Sequence, residues 1–145
     1  MYRGRVYQVC IGTEIGKPKT PCEKIFLKTD FGVIGDIHGG TERQVSLLSI
    51  EDIISVSLEK VKPGPGIFAE NITTEGIDLV RIPPGTKLTL GKKAVVEITQ
   101  IGKECHSGCS IMRFSGRCIM PLRGVFARVV KSGWVHPGDA IEVIE

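Results

Sequence analysis

Apolar residues occur along this chain in short runs separated by glycine and proline. The 18 glycines and 8 prolines interrupt segments that are rich in valine and isoleucine. Short apolar segments bounded by turn residues are typical of β-strands. The pattern predicts eight strands, over residues 5–11, 23–29, 44–49, 77–82, 87–90, 94–101, 124–130 and 140–144.

One segment, residues 50–61, has the spacing of an amphipathic helix, with isoleucine, leucine and valine recurring on one face. Ser49 can cap its first turn, and the Pro63–Gly66 stretch stops it. We therefore expect a mainly β protein with one or two short helices. A closed or partly closed barrel would leave few strand edges unpaired.

Length and composition limit the class of protein. The 145 residues predict a single domain spanning residues 1–145. No apolar run reaches the roughly 18 residues of a membrane span, and no secretory leader follows Met1, so we expect a cytoplasmic protein without a membrane partner. The five cysteines would then be reduced thiols rather than a disulfide framework. The net charge of +3 and the few aromatic residues do not favour nucleic acid as a partner.

Positive charge is concentrated around one group of cysteines. Residues 103–131 carry six cations and one anion, a local balance of +5, so the rest of the chain is net acidic. Cys105 follows a predicted strand in this region and is adjacent to His106. Cationic surroundings favour the thiolate, which is the form that attacks, binds metal or carries sulfur. Cys105 is thus the candidate reactive thiol, with Cys109 and Cys118 nearby. The alternative is that all three are small buried apolar residues.

A zinc site is a further interpretation of the same residues. Cys105, His106, Cys109 and Cys118 offer four ligands. Adjacent ligands rarely fit one tetrahedron, and the paired Cys-x-x-Cys spacing is missing. Zinc is therefore disfavoured.

A glycine-flanked loop over residues 35–40 is the second candidate site. Its backbone N–H groups, together with His38 and Arg43, could meet an anion. The favoured alternative is a tight loop that needs glycine for positive φ, with Asp36 bonding its own backbone. The loop lacks the Gly-Lys-Ser/Thr sequence of a nucleotide-binding Walker loop.

A third group interrupts the apolar run of residues 67–76. Glu70 and Asn71 are either surface residues or partners that hold a site in place, and the local sequence leaves both open. No Gly-x-Ser-x-Gly motif or Ser-His-Asp spacing indicates a hydrolase.

Five sequence blocks occur in order along the chain: Gly35-Asp36-x-His38-x-Gly40, Phe68-x-Glu70 to Gly76, Thr99-Gln100 with Cys105 beyond it, Gly124-x-Phe126 to Val129, and Gly138-Asp139. Together they resemble the MOSC domain family, named after the carboxy-terminal domain of molybdenum cofactor sulfurase. The resemblance covers residues 6–143, and its most specific block is Glu-Asn-Ile-Thr-Thr-Glu-Gly. It implies a compact barrel like that of the MOSC and pyruvate-kinase folds.

The resemblance also implies a function. Cys105, or Cys109, would carry sulfur as a persulfide for a metal–sulfur centre, or Cys105 would ligate the metal of the molybdenum cofactor (molybdopterin). The sulfur donor would be a separate cysteine desulfurase, which holds the pyridoxal phosphate. The recipient would be a molybdoenzyme or a cofactor-maturation protein. Two alternatives stay open: a molybdenum-cofactor-dependent reductase of N-hydroxylated compounds, and a non-catalytic partner module.

The expected cofactor site lies between the loop at residues 35–40 and the arginines that follow Cys105. A cofactor with a phosphate and anionic sulfurs suits a basic wall. Arg128 could instead pair with a carboxylate such as Asp139. The residues expected to bind the cofactor are Asp36, His38, Glu70, Asn71, Arg113, Arg117 and Arg128.

Overall fold

The computed structural model describes residues 3–56, 62–103 and 119–144. Within these ranges the chain is mainly β, as the sequence predicts. The strands are β1 (Arg3–Ile11), β2 (Thr20–Cys22), β3 (Ile25–Lys28), β4 (Gly32–Val33), β5 (Val45–Ser49), β6 (Ile72–Glu75), β7 (Lys87–Leu90), β8 (Ala94–Ile101), β9 (Val125–Lys131), β10 (Gly133–Val135) and β11 (Ala140–Ile144). Two short α-helices, α1 (Ile50–Ile54) and α2 (Met120–Arg123), and a 3-10 turn (Leu79–Arg81) complete the described elements.

Seven strands close into a barrel. Their order is β11, β7, β8, β9, β5, β6 and β1, and β1 closes the ring by pairing with β11. Only β5 and β6 run parallel in this ring; the other pairs are antiparallel. Strand β2 adds to β1 outside the ring, and β10, β3 and β4 form a small second sheet. Closure leaves the seven strands without free edges.

Alternate strand residues fill the barrel. Val9, Leu47, Ile72 and Val125 are fully buried in one apolar cluster that includes residues from all seven strands. Side chains along a strand point alternately to opposite faces, so these positions define the inside. Burying each such side chain contributes about 1.5–3 kcal/mol, which makes this cluster the main source of stability.

A second apolar cluster lies on the outside of β5 and β9. Leu48 and Phe126 point away from the barrel interior and pack against α1, α2 and the segment around Phe68. Phe68 is fully buried. This outer cluster fixes the segment that precedes β6 against the barrel wall, where the polar residues described below are found.

Most predicted strands are present, and one prediction is wrong. Strands β7, β8 and β11 have the predicted bounds, and β1, β3, β5 and β9 fall within two residues of theirs. Residues 77–82 contain the 3-10 turn Leu79–Arg81 and no strand. Leu79 and Ile82 are three positions apart and both enter the core, as the period of such a turn allows. Strand β6 was missed because its buried residues include Thr73 and Thr74, which conceal an apolar pattern.

Helix α1 begins where the sequence predicts and is shorter than predicted. The Ser49 hydroxyl accepts a hydrogen bond from the Asp52 N–H at 3.1 Å, which satisfies one free donor of the first turn. The helix ends at Ile54. The remaining predicted helix positions, residues 57–61, lie outside the described residues. No helix in the described ranges is long and apolar enough to cross a membrane.

Two glycines with positive φ provide a test of the packing over the outer face. Gly66 (φ 84°) and Gly85 (φ 94°) both adopt a conformation that L-residues avoid. A Cβ at Gly66 would collide with the Lys19 carbonyl oxygen and lie 3.1 Å from the Cys10 sulfur, whereas a Cβ at Gly85 meets nothing within 4 Å.

We expect Gly85→Ala to lower the free energy of unfolding by about 1–3 kcal/mol, the cost of backbone strain alone. Gly66→Ala should cost about 1–3 kcal/mol more, because overpacking adds to the same strain. Urea denaturation of both variants measures the difference. Equal losses would show that the segment around Gly66 is not held against Lys19.

Candidate functional site

A row of residues that are hydrogen-bonded or directly opposite one another on neighbouring strands crosses the outside of the barrel from β1 to β8. The Cys10 N–H donates to the Asn71 carbonyl at 2.7 Å, and the Asn71 N–H donates to the Ser46 carbonyl at 3.0 Å. Ser46 lies opposite Phe126 in the β5–β9 pair, and Phe126 lies opposite Gln100 in the β9–β8 pair. These five residues, Cys10, Asn71, Ser46, Phe126 and Gln100, are called the outer row below.

The outer row faces away from the barrel core. Its strand neighbours Val9, Leu47 and Val125 belong to the interior cluster, so Cys10, Ser46 and Phe126 point to the opposite face. Neighbouring strands are about 4.8 Å apart, so the row extends over about 19 Å. It therefore links the predicted Glu-Asn block to the strand end that precedes Cys105.

Asn71 holds three strands together. Its side-chain oxygen accepts from the N–H and the hydroxyl of Ser46 at 3.1 and 3.2 Å, and its side-chain NH2 donates to the Cys10 carbonyl at 3.2 Å. The residue is fully buried. Of the two alternatives left open by the sequence, Asn71 is therefore an internal partner and not a surface residue.

Glu70 is a buried carboxyl with one unpaired oxygen. Its Oε2 accepts from the Gly66 N–H at 2.8 Å and from the Thr73 hydroxyl at 2.7 Å. Its Oε1 has no hydrogen-bond partner in the described part of the chain. Burial raises the pKa of Glu70, and the hydrogen bonds to Oε2 offset this only in part.

A buried ion pair anchors the glycine-flanked loop. Lys19 donates to both carboxylate oxygens of Asp36 at 2.8 Å, and the two side chains are 2% and 0% exposed. Asp36 also accepts from the N–H groups of Gly12 and His38. Burial alone would raise the pKa of Asp36, but bonds from His38, Lys19 and Gly12 outweigh it and the pKa is lowered. Burial also lowers the pKa of Lys19, against the opposing effect of Asp36.

Lys19 was not predicted to be a site residue, because a lysine between Pro18 and Thr20 has the local sequence of an ordinary surface residue. The available signal was Gly12. A Cβ at Gly12 would lie 2.7 Å from Cγ of Lys19, so the glycine leaves room for the lysine stem. Ser46 and Cys10 were also missed as contributors to the site, since neither belongs to a recognisable local motif.

The loop at residues 35–40 adopts the tight geometry of the favoured alternative. Gly35 and Gly40 have φ values of 88° and 80°, and Asp36 accepts from the backbone of His38. Each N–H from Asp36 to Gly40 donates to an acceptor within the chain. These N–H groups are therefore not available to an anion, and an anion contact here must come from side chains.

His38 and Arg43 are the side chains available for that contact. The His38 side chain is 32% exposed, and its Nδ1 lies 3.1 Å from Nζ of Lys19. Because the lysine ammonium is a donor only, Nδ1 accepts from it in the tautomer that carries the ring proton on Nε2. The Arg43 guanidinium lies over the Phe126 ring at 5.3 Å. Arg43 therefore borders the outer row, and His38 borders the Lys19–Asp36 ion pair.

Arg128 pairs with carboxylates other than the one named from the sequence. Its guanidinium donates to Asp30 at 3.2 Å and to Glu97 at 3.1 Å. Asp139 instead accepts from the His136 N–H at 2.8 Å. The suggested Arg128–Asp139 pair is thus wrong, while cofactor binding by Arg128 stays a prediction.

The remaining predicted site residues lie outside the described ranges: Cys105, His106, Cys109, Arg113, Arg117 and Cys118. The structure does fix the approach to Cys105. The Gly102 N–H donates to the Gly124 carbonyl at 2.7 Å, and the Lys103 N–H donates to the Pro121 carbonyl at 3.1 Å. Lys103 stands two positions before Cys105.

The two described cysteines have the wrong properties for a reactive thiol. Burial raises the pKa of Cys10, and the nearby Glu70 raises it further. Burial also raises the pKa of Cys22. In residues 3–56, 62–103 and 119–144, no group of three or more His, Cys, Asp or Glu side chains could hold a metal ion. A thiolate ligand or sulfur carrier would have to come from the other three cysteines.

Comparison with known proteins identifies the family. The family profile of the MOSC domain matches residues 34–142. The chain belongs to the MOSC domain family. The MOSC family is associated with the molybdenum cofactor. No curated protein matches the sequence.

Solved structures share the MOSC fold at low sequence identity. The YuaD protein from Bacillus subtilis is 18% identical with a TM-score of 0.77, over 97% of this chain and 95% of that one. YiiM from Geobacillus stearothermophilus is 19% identical with a TM-score of 0.71, over 98% and 75% of the two chains. YiiM from Escherichia coli is 17% identical with a TM-score of 0.68, over 100% and 71%. These likenesses show the fold.

The buried ion pair can be tested by removing one charge. Asp36→Asn leaves the Lys19 ammonium buried without a counter-ion, so we expect a loss of about 3–5 kcal/mol in the free energy of unfolding. Glu14→Gln is the matched control, because the Lys17–Glu14 pair is 2.7 Å long but about 60% exposed on each side. Such exposed pairs contribute at most about 1 kcal/mol. Urea denaturation compares the two.

The pH dependence of the unfolding free energy tests whether Asp36 stabilises the fold through its charge or through the packing of its side chain. Its pKa in the folded protein lies below the unfolded value of about 3.9, so its contribution is present above about pH 4 and is lost as the pH falls further. Asp36→Asn should flatten this acid limb, while Glu14→Gln should retain it. An unchanged acid limb in Asp36→Asn would place the responsible carboxylate elsewhere.

Proposed function

We propose that this MOSC protein is a sulfur carrier of molybdenum-cofactor metabolism, with Cys105 as the carrier. The supporting observation is the outer row. It joins the buried Glu70–Asn71 block to the end of β8, and Cys105 follows that strand end by four residues. The cationic sequence beyond Lys103 favours a thiolate at this position.

The proposed transfer is a thiol–persulfide exchange. The Cys105 thiolate attacks the outer sulfur of a donor persulfide, the donor S–S bond breaks, and the donor thiolate leaves. Cys105 then holds the sulfur as a persulfide. Attack by the Cys109 thiolate on the inner sulfur releases sulfide and forms a Cys105–Cys109 disulfide, which an external thiol reduces. Sulfur is thus reduced by two electrons as the two cysteines are oxidised.

The other site residues divide into two groups. Asp36, Glu70 and Asn71 are buried with partners inside the protein, so they act by positioning the outer row and the loop at residues 35–40. His38 and Arg43 have accessible cationic or polar heads and would contact an anion.

The molybdenum cofactor fits this division in its chemistry. An anionic cofactor suits His38 and Arg43 on the described face, and Arg113, Arg117 and Arg128 would extend the same charge. Ligation of the metal by cysteine needs a thiolate, which the raised pKa values of Cys10 and Cys22 disfavour at those residues. Cys105 would be the ligand. When bound, the cofactor would supply a redox-active metal.

The partners follow from the proposed exchange. The donor would be a separate cysteine desulfurase, whose pyridoxal phosphate generates the persulfide. The recipient would be a molybdoenzyme or a protein that matures the cofactor. The reaction requires reduced thiols, as the cytoplasm provides.

The carrier assignment predicts a ranking of thiol reactivity. Cys105 should alkylate faster than Cys10 and Cys22, because cations can bring its pKa below about 7.5 while burial raises theirs. Competitive alkylation of the folded protein, read by mass spectrometry from about pH 5 to about pH 9, measures this. Cys105→Ser should abolish acceptance of sulfur from a persulfide donor.

Cys22→Ser is the matched control, since it removes a thiol of intermediate exposure and should leave sulfur transfer unchanged. Should Cys105 label no faster than Cys10 and Cys105→Ser retain full transfer, the assignment is wrong and Cys109 becomes the candidate. Stoichiometric molybdenum and pterin in the protein purified from its own host would instead favour the reductase.

The arginines should contribute to cofactor affinity. We expect Arg113→Ala, Arg117→Ala and Arg128→Ala each to weaken molybdopterin binding by about tenfold through loss of a charge-assisted hydrogen bond. The loss should be larger at low ionic strength, where charge is less screened. Arg81→Ala is the control, because its exposed guanidinium pairs locally with Asp78. If none of the three changes affinity, the pocket lies elsewhere.

A further inference from the structure

A cavity of about 380 Å³ opens between the β7–β8 turn, β10 and the segment that joins β10 to β11. Its volume lies at the low end of the range for small-molecule sites, roughly 300–1,000 Å³. None of its lining residues belongs to the outer row or to the segment around Cys105. The lining residues are Lys92, Lys93, Trp134, His136 and Asp139.

Trp134 is an exposed aromatic wall with a fixed orientation. Half of the residue is accessible to solvent. The Phe26 ring contacts it edge-on, with centroids 5.1 Å apart and planes inclined by 66°. The Lys24 ammonium lies 4.5 Å from the centre of its ring. Lys24 thus covers part of one ring face and Phe26 contacts the ring edge-on, while half of the residue stays open to solvent.

Backbone packing brings two lysines to this wall. Gly91 has a φ of 69°, which turns the chain sharply between β7 and β8. A Cβ at Gly133 would lie 2.7 Å from the Ala94 nitrogen and 3.1 Å from the Lys93 Cβ, so β10 and the turn approach as closely as glycine permits. Trp134 follows Gly133 directly and therefore lies beside Lys92 and Lys93.

The two lysines lack a counter-ion in the described part of the chain. The one carboxylate in the lining, Asp139, accepts from the His136 N–H at 2.8 Å and lies 3.6 Å from the His136 ring. No ion pair between Lys92 or Lys93 and a carboxylate is present among the described residues. The cavity therefore combines an aromatic wall with free positive charge.

We propose that this cavity binds a small phosphorylated aromatic ring of the mononucleotide type. The ring would stack on Trp134, as bases do on exposed aromatic side chains. The phosphate would lie between the Lys92 and Lys93 ammonium groups, since lysine binds phosphate as a point charge. The site is independent of the sulfur chemistry proposed above, because it shares no residue with it.

Trp134 is the only tryptophan of the chain, so its fluorescence reports directly on this cavity. The probes are adenosine 5′-monophosphate and flavin mononucleotide, with adenosine, riboflavin and inorganic phosphate as the matched fragments. We expect saturable quenching by at least one mononucleotide, at concentrations about tenfold lower than its fragments require, and weakening with added salt.

Variants separate the cavity from general surface charge. Lys92→Ala/Lys93→Ala should weaken mononucleotide binding at least tenfold by isothermal titration calorimetry. Lys17→Ala/Lys87→Ala removes the same charge outside the cavity and should leave binding unchanged, as should Cys105→Ser. Trp134→Phe should weaken binding while the circular dichroism spectrum shows an intact fold.

Three results would overturn the proposal. One is no saturable quenching by either mononucleotide. Another is equal binding by the two double-lysine variants. The third is stronger quenching by polyglutamate than by both mononucleotides, which would make the cavity a contact for an acidic protein segment.

Discussion

The buried ion pair between Lys19 and Asp36 is the interaction on which the candidate site depends. Burying both charges away from water is costly, and their attraction offsets that cost only if the other hydrogen-bonding groups of the two side chains also have partners. These partners are present: Gly12 and His38 donate to Asp36, and His38 accepts from Lys19. The ion pair thereby joins three parts of the chain: the end of β1, the segment before β2 that contains Lys19, and the loop after β4. A hydrophobic pair of similar size could pack there but would leave these groups unsatisfied.

The outer row extends the same constraint across the barrel. Lys19 bonds through its backbone to Gly66, and Gly66 donates to Glu70, so the ion pair and the buried carboxyl share one segment. Asn71 then links that segment to Ser46 and Cys10. This network lies outside the barrel, whose interior cluster is built from apolar side chains. The interior supplies stability, and the exterior supplies specific geometry.

The fold could be predicted from sequence to the extent that it follows local rules. Turn residues bounding β7 and β8, and the Ser49 cap of α1, act within a few positions and were found. Residues 77–82 were mistaken for a strand because their apolar content is the same, while the three-residue spacing of Leu79 and Ile82 is too short a signal to separate a 3-10 turn from an extended run. Strand β10 is three residues long and has no pattern of its own.

The site was less accessible because its contacts connect distant residues. Asp36 could be singled out through its glycines, but its partner Lys19 is identified only by the path of the chain between β1 and β2. Likewise, no interleaving of basic and aromatic residues reveals the cavity beside Trp134, since Lys92 and Lys93 are about 40 positions from that residue. Packing of β10 against the start of β8 brings them together, where Gly133 allows the backbones to touch. Glycine is the sequence signal in both cases, because Gly12 leaves room for Lys19 and Gly133 leaves room for Lys93. Glycines that are not required by a turn therefore indicate where two segments of this chain pack closely and bring polar side chains together.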